Sequence, residues 1–392
     1  MPAEREPPRV VIAGGSIAAL ETLGALHRLA VDRVSVTLVA PEEAFTYRPQ
    51  SLASADQRAG QRSPRMGELE MSVGARHVRD RISWVDSADH AVHTAAGTRL
   101  RYDALVVAIG ARASAAYPDA LTLEPGAAPA VAELVAGARS GRFARVAFVV
   151  PERSGWLLAL YETVLAMAHA AEEAGSATEL VVLTVERAPL AIFGRHASRR
   201  MTELLEQHGV RVIADARTDM PAPGRINARL ADGARWQTRE LDRVVATPRL
   251  RGPFLRGLPI GDGGFIPIDP YCRVPGRHWI FAAGDATTYP VKHGGIAAQQ
   301  ADVAARGIAA LAGVPDVRRP FRPRLEARLM TGAAPLYLSA DLIGGEAFGS
   351  VATHAPEVAV GPKVIAGDLH RVLAASNASA AVEGEPDVEH RI

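Results

Sequence analysis

A glycine-containing turn follows the first apolar segment of the chain. Residues 9–13 form that segment, Gly14-Gly15-Ser16 follow at once, and a helical spacing of apolar residues runs from Ile17 to Leu26. A strand, a tight turn and a helix present free backbone N–H groups and the positive end of the helix dipole to an anion. The sequence therefore predicts that residues 14–18 can hold a pyrophosphate.

This turn departs from the dinucleotide fingerprint G-x-G-x-x-G, in which each glycine has a steric reason. Gly14 keeps the first glycine, but Ser16 and Ala19 stand at the second and third positions. The acidic residue expected after the second strand is replaced by Ala40, and Glu42 lies just beyond it. For the turn itself, pyrophosphate binding and an ordinary α/β strand–helix turn both stay open. For Glu42 and Glu43, a contact to the adenosine ribose and a solvated charged turn both stay open.

Segments that are apolar throughout recur along the chain and alternate with helical segments. Continuous apolar runs are typical of buried parallel strands, so we predict an α/β fold in which one strand–helix module is followed by a second. A small β insertion is expected between residues 81 and 99. The predicted strands are 9–13, 34–39, 104–109, 145–150, 180–185, 210–213 and 279–283, and the predicted helices include 157–171, 198–208 and 295–311.

The composition restricts the classes of function. A chain of 392 residues exceeds the roughly 250–300 that one hydrophobic core serves, so two or three domains are expected. The formal net charge of +1 gives no electrostatic case for a nucleic-acid partner. Cys272 is the single cysteine, which excludes an intrachain disulfide, a Cys-x-x-Cys redox pair and a cysteine-rich zinc site. The histidines show no metal-binding spacing, so no metal is expected.

The sequence also predicts where the protein resides. The first residues lack the apolar core of a signal peptide. No apolar run reaches the ~18–20 residues of a membrane span. We therefore expect a cytoplasmic protein without a membrane anchor, and a homodimer is compatible with the sequence.

Three distant segments, read together, carry a resemblance to a known family. Residues 10–21, 102–110 and 280–285 resemble the FAD-dependent flavoproteins with two dinucleotide-binding domains in the pyridine nucleotide-disulfide oxidoreductase superfamily. Residues 45–49 and 292–300 are similar to the branch that contains type II NADH dehydrogenases, sulfide:quinone oxidoreductases and flavocytochrome c sulfide dehydrogenases. The resemblance covers about residues 9–330 and is most specific at Gly284-Asp285 and the helix that follows.

The resemblance implies a fold and a division of the chain. Two Rossmann-like three-layer modules are expected, the second inserted in the first, with a short C-terminal α+β segment. Residues 1–116 and 250–322 would form the FAD-binding domain. Residues 117–249 would form a module like an NAD(P)-binding domain, and residues 323–392 an interface segment.

The resemblance also implies FAD as the cofactor and assigns residues to it. Asp285 would accept a hydrogen bond from the ribityl chain, and Gly295 and Ile296 would direct N–H groups at the flavin N1/C2=O edge. Lys292 would add charge there, unless it is a solvated cation. The implied cofactor-binding residues are Gly14, Gly15, Ser16, Ile17, Ala18, Glu42, Arg48, Pro49, Ile82, Ala108, Gly110, Gly284, Asp285, Gly295 and Ile296, and the catalytic candidates are Lys292 and Glu162.

The second module departs from the family pattern. In the register of its glycine motif only Gly155 remains, while Leu157 and Leu160 replace the other two glycines. These side chains would block the approach of a pyrophosphate, which argues against an ordinary NAD(P)H site. Glu162 either faces the flavin or is an exposed glutamate near the helix start. Cys272 lies in a turn where the family has a hairpin far from the flavin, so we expect it to be a bystander.

The leading hypothesis is an FAD-dependent oxidoreductase. It would pass electrons from NAD(P)H or a small organic donor through the flavin to an acceptor. Two alternatives stay open: a degenerate binding protein with little FAD and no redox activity, and a membrane-associated quinone reductase. The expected partners are a small-molecule substrate or electron acceptor.

Overall fold

The computed structural model describes residues 6–45, 65–155, 157–238, 240–354 and 366–374. Two five-stranded parallel sheets dominate this part of the chain, and smaller antiparallel sheets cover or extend them. The expected α/β fold with two Rossmann-like modules is confirmed.

The sheet of the first module contains three strands that are buried almost throughout and two, at one edge, that are only partly buried. The five strands run parallel, and their order across the sheet is β18-β7-β1-β2-β3, each numbered by its position along the chain. The strands are β1 Arg9–Ala13, β2 Ser35–Val39, β3 Arg76–Val78, β7 Ala104–Val107 and β18 Ile280–Ala282, and the helices are α1 Ile17–Ala30, α2 Met66–Val73 and α6 Gly294–Leu311. Helices α1 and α6 pack on one face through a cluster of alanines, leucines and isoleucines.

A small antiparallel sheet covers the other face of the first module. Its strands β4, β5 and β6 pair in that order, as expected for an insertion in this region. Val85 and Val92 from it pack on Leu105 and Val107 of β7. The bounds are β4 Ile82–Asp86, β5 Ala91–Thr94 and β6 Arg99–Arg101.

The second module repeats the plan. Its parallel sheet has the order β12-β11-β10-β16-β9, with an antiparallel meander β13-β14-β15 on one face and helices on the other. The strands are β9 Leu121–Thr122, β10 Arg145–Val150, β11 Glu179–Thr184, β12 Arg211–Ile213, β13 Arg217–Ala222, β14 Arg225–Arg229, β15 Arg235–Gln237 and β16 Arg243–Ala246, and the helices are α3 Ala128–Arg139, α4 Leu158–Glu173 and α5 Gly194–Gln207.

Two short antiparallel strands join the modules. Strand β8, Arg112–Ser114, lies before the second module in the chain, and strand β17, Arg249–Arg251, lies after it. They pair with each other, so the chain enters and leaves the second module at one place.

The C-terminal segment adds a three-stranded antiparallel sheet to both modules. Its strands are β19 Arg324–Leu329, β20 Leu336–Ile343 and β21 Glu346–Thr353. A Cβ on Gly194, at the start of α5, would stand 2.7 Å from Ser350 of β21, and one on Gly345 would collide with Pro290 ahead of α6. The hairpin β20–β21 therefore contacts α5 of the second module and the segment ahead of α6 of the first module.

A helical segment, residues 367–374, packs against α1. The buried carboxylate of Glu21 accepts the N–H groups of Leu369 and Asp368, at 2.6 and 3.3 Å, and so caps this segment. Asp368 in turn binds Arg28 of α1 at 2.7 Å.

Some element boundaries differ from the sequence-based ones. Helix α5 begins at Gly194, four residues before the expected start at Ser198, because a 3-10 turn at Ala191–Phe193 leads directly into it. The meander β13–β15 and helix α2 were not predicted. Among the helices of the described part, none is long and apolar enough to cross a membrane.

Candidate functional site

The turn after β1 requires glycine for a packing reason. Gly14 has φ of +123°, and a Cβ on it would collide with the carbonyl oxygen of Ala108 at the end of β7. Its N–H donates to the carbonyl of Val39 at 2.8 Å. Gly14 thus lets the ends of three neighbouring strands meet at the carboxyl edge of the sheet, where ligands of open α/β sheets bind.

The start of α1 lies at that edge. Ser16 is its N-cap in an extended conformation, and its side chain makes no capping hydrogen bond to the helix. The first turn of α1 contains no acidic residue, and Ala18 and Ala19 are buried behind it. An uncompensated helix N-terminus of this kind attracts an anion such as a pyrophosphate.

A second glycine brings the two helices of the first module together. Gly284 has φ of +76°, and a Cβ on it would lie 3.3 Å from the Cβ atoms of both Ala18 and Ala297. The starts of α1 and α6 and the turn Gly284–Ala286 therefore converge within van der Waals distance. The side chains at this junction are small, as the close approach of a dinucleotide to the backbone requires, and this fits the cofactor that the resemblance implied.

Charge at the junction comes from Asp285 and Lys292. Both side chains are half-buried. The ammonium of Lys292 donates to the carbonyl oxygen of Thr287 and lies 4.1 Å from the ring centre of Phe265. Burial lowers the pKa of Lys292 to about 8, and the nearby Asp285 opposes that shift.

His293 caps α6, a role that sequence reasoning missed. Its Nδ1 accepts the N–H of Gly295 at 3.1 Å, so the proton of the neutral ring lies on Nε2. Burial lowers the pKa of His293 to about 3, and the ring stays neutral at physiological pH. The N–H of Gly295, which the resemblance directed at a flavin, is bound to His293 in this structure. The signal in the sequence was a polar residue directly before the helix start.

The remaining sequence-predicted residues are placed as follows. Ala108 is buried at the end of β7, Gly110 follows with φ of +71°, and Ile82 opens β4 opposite Thr94. Glu42 is exposed, and its Oε2 lies 2.8 Å from where a Cβ of Gly15 would stand. Arg48 and Pro49 lie outside the described residues.

Glu162 is tied to the C-terminal segment. It is 2% exposed, and its Oε1 accepts the backbone N–H of Met330 at 3.0 Å. It is therefore not the exposed glutamate that one sequence interpretation allowed. Its carboxylate joins α4 to the end of β19, which is a structural contact.

The turn before α4 makes contacts with neighbouring residues of the second module and with Leu250. A Cβ on Gly155 would lie 3.1 Å from Cδ1 of Leu250. The hydroxyls of Ser154 and Thr247 are 2.7 Å apart, and that of Ser154 donates to the carbonyl of Pro151 at 2.7 Å. These contacts occupy part of the turn at which a second pyrophosphate would be expected.

The acidic residue after β11 is also engaged. Oε2 of Glu186 accepts the hydroxyl protons of Tyr161 at 2.6 Å and Thr184 at 3.0 Å. Burial raises the pKa of Glu186 to about 7. A glutamate at the end of this strand suits a nucleotide ribose by position, but here it binds a buried tyrosine.

Cys272 lies in the expected turn but is fully buried. Its N–H donates to the carbonyl of Asp269 at 2.9 Å, and burial raises the pKa of its thiol. A buried thiol with a raised pKa is a poor nucleophile. Within the described ranges, no group of three or more His, Cys, Asp and Glu residues is arranged to hold a metal.

Comparisons with known proteins agree with this geometry. Residues 163–306 match the sequence model of the family described as pyridine nucleotide-disulphide oxidoreductase. This match begins inside α4, after the altered turn of the second module. No curated protein sequence matches the chain.

Three solved structures show the same fold at low identity. Sulfide:quinone oxidoreductase from the hyperthermophilic bacterium Aquifex aeolicus is similar with a TM-score of 0.76 and 16% identity, over 95% of this chain and 90% of that chain. A chain of the Tetrahymena thermophila mitochondrial ATP synthase has a TM-score of 0.66 and 12% identity, over 89% and 90%. An NAD-dependent persulfide reductase from A. fulgidus has a TM-score of 0.59 and 19% identity, over 85% and 64%.

Proposed function

We propose that this chain, whose residues 163–306 match the family model of the pyridine nucleotide-disulphide oxidoreductases, is an oxidoreductase that uses noncovalent FAD. The observation that carries the proposal is the convergence of the starts of α1 and α6 at Gly284. Two helix N-termini, small residues and a half-buried carboxylate together suit a long dianionic cofactor.

Each part of the junction has a task in this proposal. Residues 14–18 hold the pyrophosphate, and Asp285 accepts a hydrogen bond from the ribityl chain. The first turn of α6 and the ammonium of Lys292 stabilise negative charge at the flavin edge. The bound flavin supplies two-electron redox chemistry, and these residues supply position and electrostatics. The division of the chain at residues 116 and 249, supported by the pairing of β8 with β17, is part of the proposal.

The electron donor in this proposal is a small molecule that reaches the flavin without a standard dinucleotide site. Support comes from the second module, where Leu250 covers Gly155 and Tyr161 binds Glu186. Without a pyrophosphate anchor, NADH or NADPH would be oriented poorly for hydride transfer. Saturable anaerobic reduction by either, faster than about 10 per second, would contradict this part of the proposal.

The experiment is purification followed by cofactor analysis and anaerobic reduction with NADH, NADPH and sulfide. Asp285→Ala should lower FAD content well below that of the wild type. The control is Asp119→Ala, which removes an exposed carboxylate just before β9. Equal FAD content in wild type and Asp285→Ala would remove Asp285 from the site.

A second candidate is a binding protein that kept the fold and lost the cofactor. Ser16 and Ala19 in the place of two glycines favour it, and the same fold occurs in a chain of an ATP synthase structure. A colourless protein whose melting temperature does not respond to added FAD would favour this candidate.

A further inference from the structure

The outer face of the meander β13–β15 presents a row of arginines. Arg217 of β13 lies directly opposite Arg229 of β14, and Arg229 lies directly opposite Arg235 of β15. Residues paired in this way point to the same side of a sheet, with Cβ atoms roughly 4.5–5.5 Å apart. All three side chains are exposed, so the row is accessible along its whole length.

The rest of this face is polar. Asp219, Asn227 and Gln237 form the next row, in which Asn227 donates to Asp219 at 3.2 Å. Arg225 adds a fourth exposed arginine at the end of β14. We call the side chains of Arg217, Arg225, Arg229 and Arg235 the arginine face.

The opposite side of the meander explains what holds it in place. Ile226 and Ala228 are buried and Trp236 is partly buried against the core of the second module. The arginines are therefore not needed to attach the meander, since the apolar residues between them do so.

The row carries like charges that the protein itself neutralises only in part. Like charges directly opposite each other on a sheet destabilise it. Two of the four arginines have a carboxylate partner: Arg217 pairs with Glu152 at 3.0 Å, and Arg225 lies 3.9 Å from Glu240. Within the described part of the chain, neither Arg229 nor Arg235 has a carboxylate within ion-pair distance. The whole chain has a net charge of only +1, so the row is a local concentration of charge.

We propose that the arginine face is a docking surface for an acidic segment of another protein. Guanidinium groups bind carboxylates in a bidentate manner, and a row of them matches a run of aspartates or glutamates. Complementary charge of this kind steers association and sets its salt dependence.

Two other anionic partners fit less well. A single-stranded nucleic acid needs aromatic side chains for base stacking, and the one aromatic residue of the meander, Trp236, packs inward. A membrane surface is bound most strongly when large apolar side chains insert, and the paired positions on this face hold no apolar side chain larger than that of Ala222.

The test measures binding of fluorescent poly-L-glutamate to the full-length protein as isolated, by anisotropy at low and high salt. One variant combines Arg217→Gln, Arg229→Gln and Arg235→Gln. Its control combines Arg33→Gln, Arg101→Gln and Arg318→Gln, three exposed arginines elsewhere that give the same change in net charge. Single-stranded DNA and anionic lipid vesicles are compared as competing ligands.

The proposal requires wild-type binding that weakens with salt and is at least about tenfold weaker in the face variant. The control variant should stay within about twofold of wild type. Arg229→Gln alone should fold with an equal or higher melting temperature, because it relieves repulsion. Absence of wild-type binding, equal losses in both triple variants, or tighter binding of DNA or vesicles than of polyglutamate would each overturn it. This result does not depend on whether the protein contains FAD.

Discussion

Oε1 of Gln300 accepts the backbone N–H of Gly284 at 2.7 Å, in a part of the core where both residues are buried. This hydrogen bond joins the end of β18 to the second turn of α6. It holds the turn that carries Asp285 against the helix whose start would face the flavin. The candidate site is therefore positioned by a contact between two elements that are adjacent in sequence and packed against α1.

Gln300→Leu should destabilise the protein. The N–H of Gly284 would lose its partner in a buried place, which costs about 1–3 kcal/mol in the free energy of unfolding. FAD retention should fall as well, because the turn at Asp285 is no longer fixed. The control is Gln207→Leu, an exposed glutamine on α5 that should change neither quantity. Denaturant unfolding and the flavin content after gel filtration measure the two effects; equal behaviour of both variants would contradict the role of Gln300.

Lys292→Met should change how stability depends on pH. The pKa of Lys292 in the folded protein, about 8, lies below its ordinary value of 10.5. Between these values the unfolded chain binds more protons, so the wild type gains stability as pH rises from 8 toward 10.5. The Met variant lacks this gain, which amounts to about 1–3 kcal/mol over the full interval. Unfolding free energies at pH 7, 8 and 9.5 test it, and parallel pH curves would contradict it.

His293→Asn should make the protein less sensitive to acid. The pKa of His293 is about 3 in the folded state against 6.5 when unfolded, so the wild type loses stability as pH falls from 6.5. Asparagine keeps an N-cap acceptor for Gly295 without that titration. Relative to wild type, the variant should gain about 2–3 kcal/mol between pH 6.5 and 4.5.

The control for that variant is His196→Asn, an exposed histidine on α5. Burial raises the pKa of Glu21 to about 7, so this carboxyl adds stability as pH falls from 7 toward 4.5. It does so in both proteins, and the difference between them reports His293 alone. The assignment fails if the acid slope of His293→Asn equals that of wild type.

Gly24→Ala should loosen the C-terminal helical segment. A Cβ on Gly24 of α1 would stand 2.9 Å from the carbonyl oxygen of Asp368 and 2.9 Å from Cγ2 of Val372. The crowding should cost about 1–3 kcal/mol and expose the bond after Arg371 to trypsin. Gly67→Ala in α2 is the matched control, because a Cβ there meets no described residue within 4 Å. It should be neutral or stabilising by up to about 1 kcal/mol. Unchanged tryptic cleavage in Gly24→Ala would show that the segment is not held at this contact.

Local sequence signals predicted the fold well where strands are apolar throughout. The apolar runs at β1, β7, β10 and β11 predicted two parallel sheets. The position of Gly14 predicted the turn at the sheet edge. The roles of Gly284 and Gln300 depend on contacts that form only when α1, α6 and β18 pack together. The helix cap by His293 was missed because histidine is not a common N-cap residue.

In the second module, the contacts that replace the dinucleotide site could not be predicted from the sequence. Leu157 and Leu160 in place of glycines indicated a lost dinucleotide motif, but the sequence did not predict what fills the space. Leu250 lies against Gly155, and Tyr161 binds Glu186, from segments that are distant in the chain. The sequence left open whether Glu162 is exposed, and its burial could not be predicted because its partner Met330 comes from the C-terminal segment.

The measurement that tests the account most directly is the cofactor content of the purified protein. We expect absorbance near ~450 nm and FAD released intact by denaturation, close to one per chain. Gly284→Val should lose that FAD, since its side chain would fill the junction between Ala18 and Ala297. Gly67→Val, whose Cβ would meet no described residue within 4 Å, should retain it. A colourless protein that neither binds added FAD nor gains thermal stability from it would contradict the central claim.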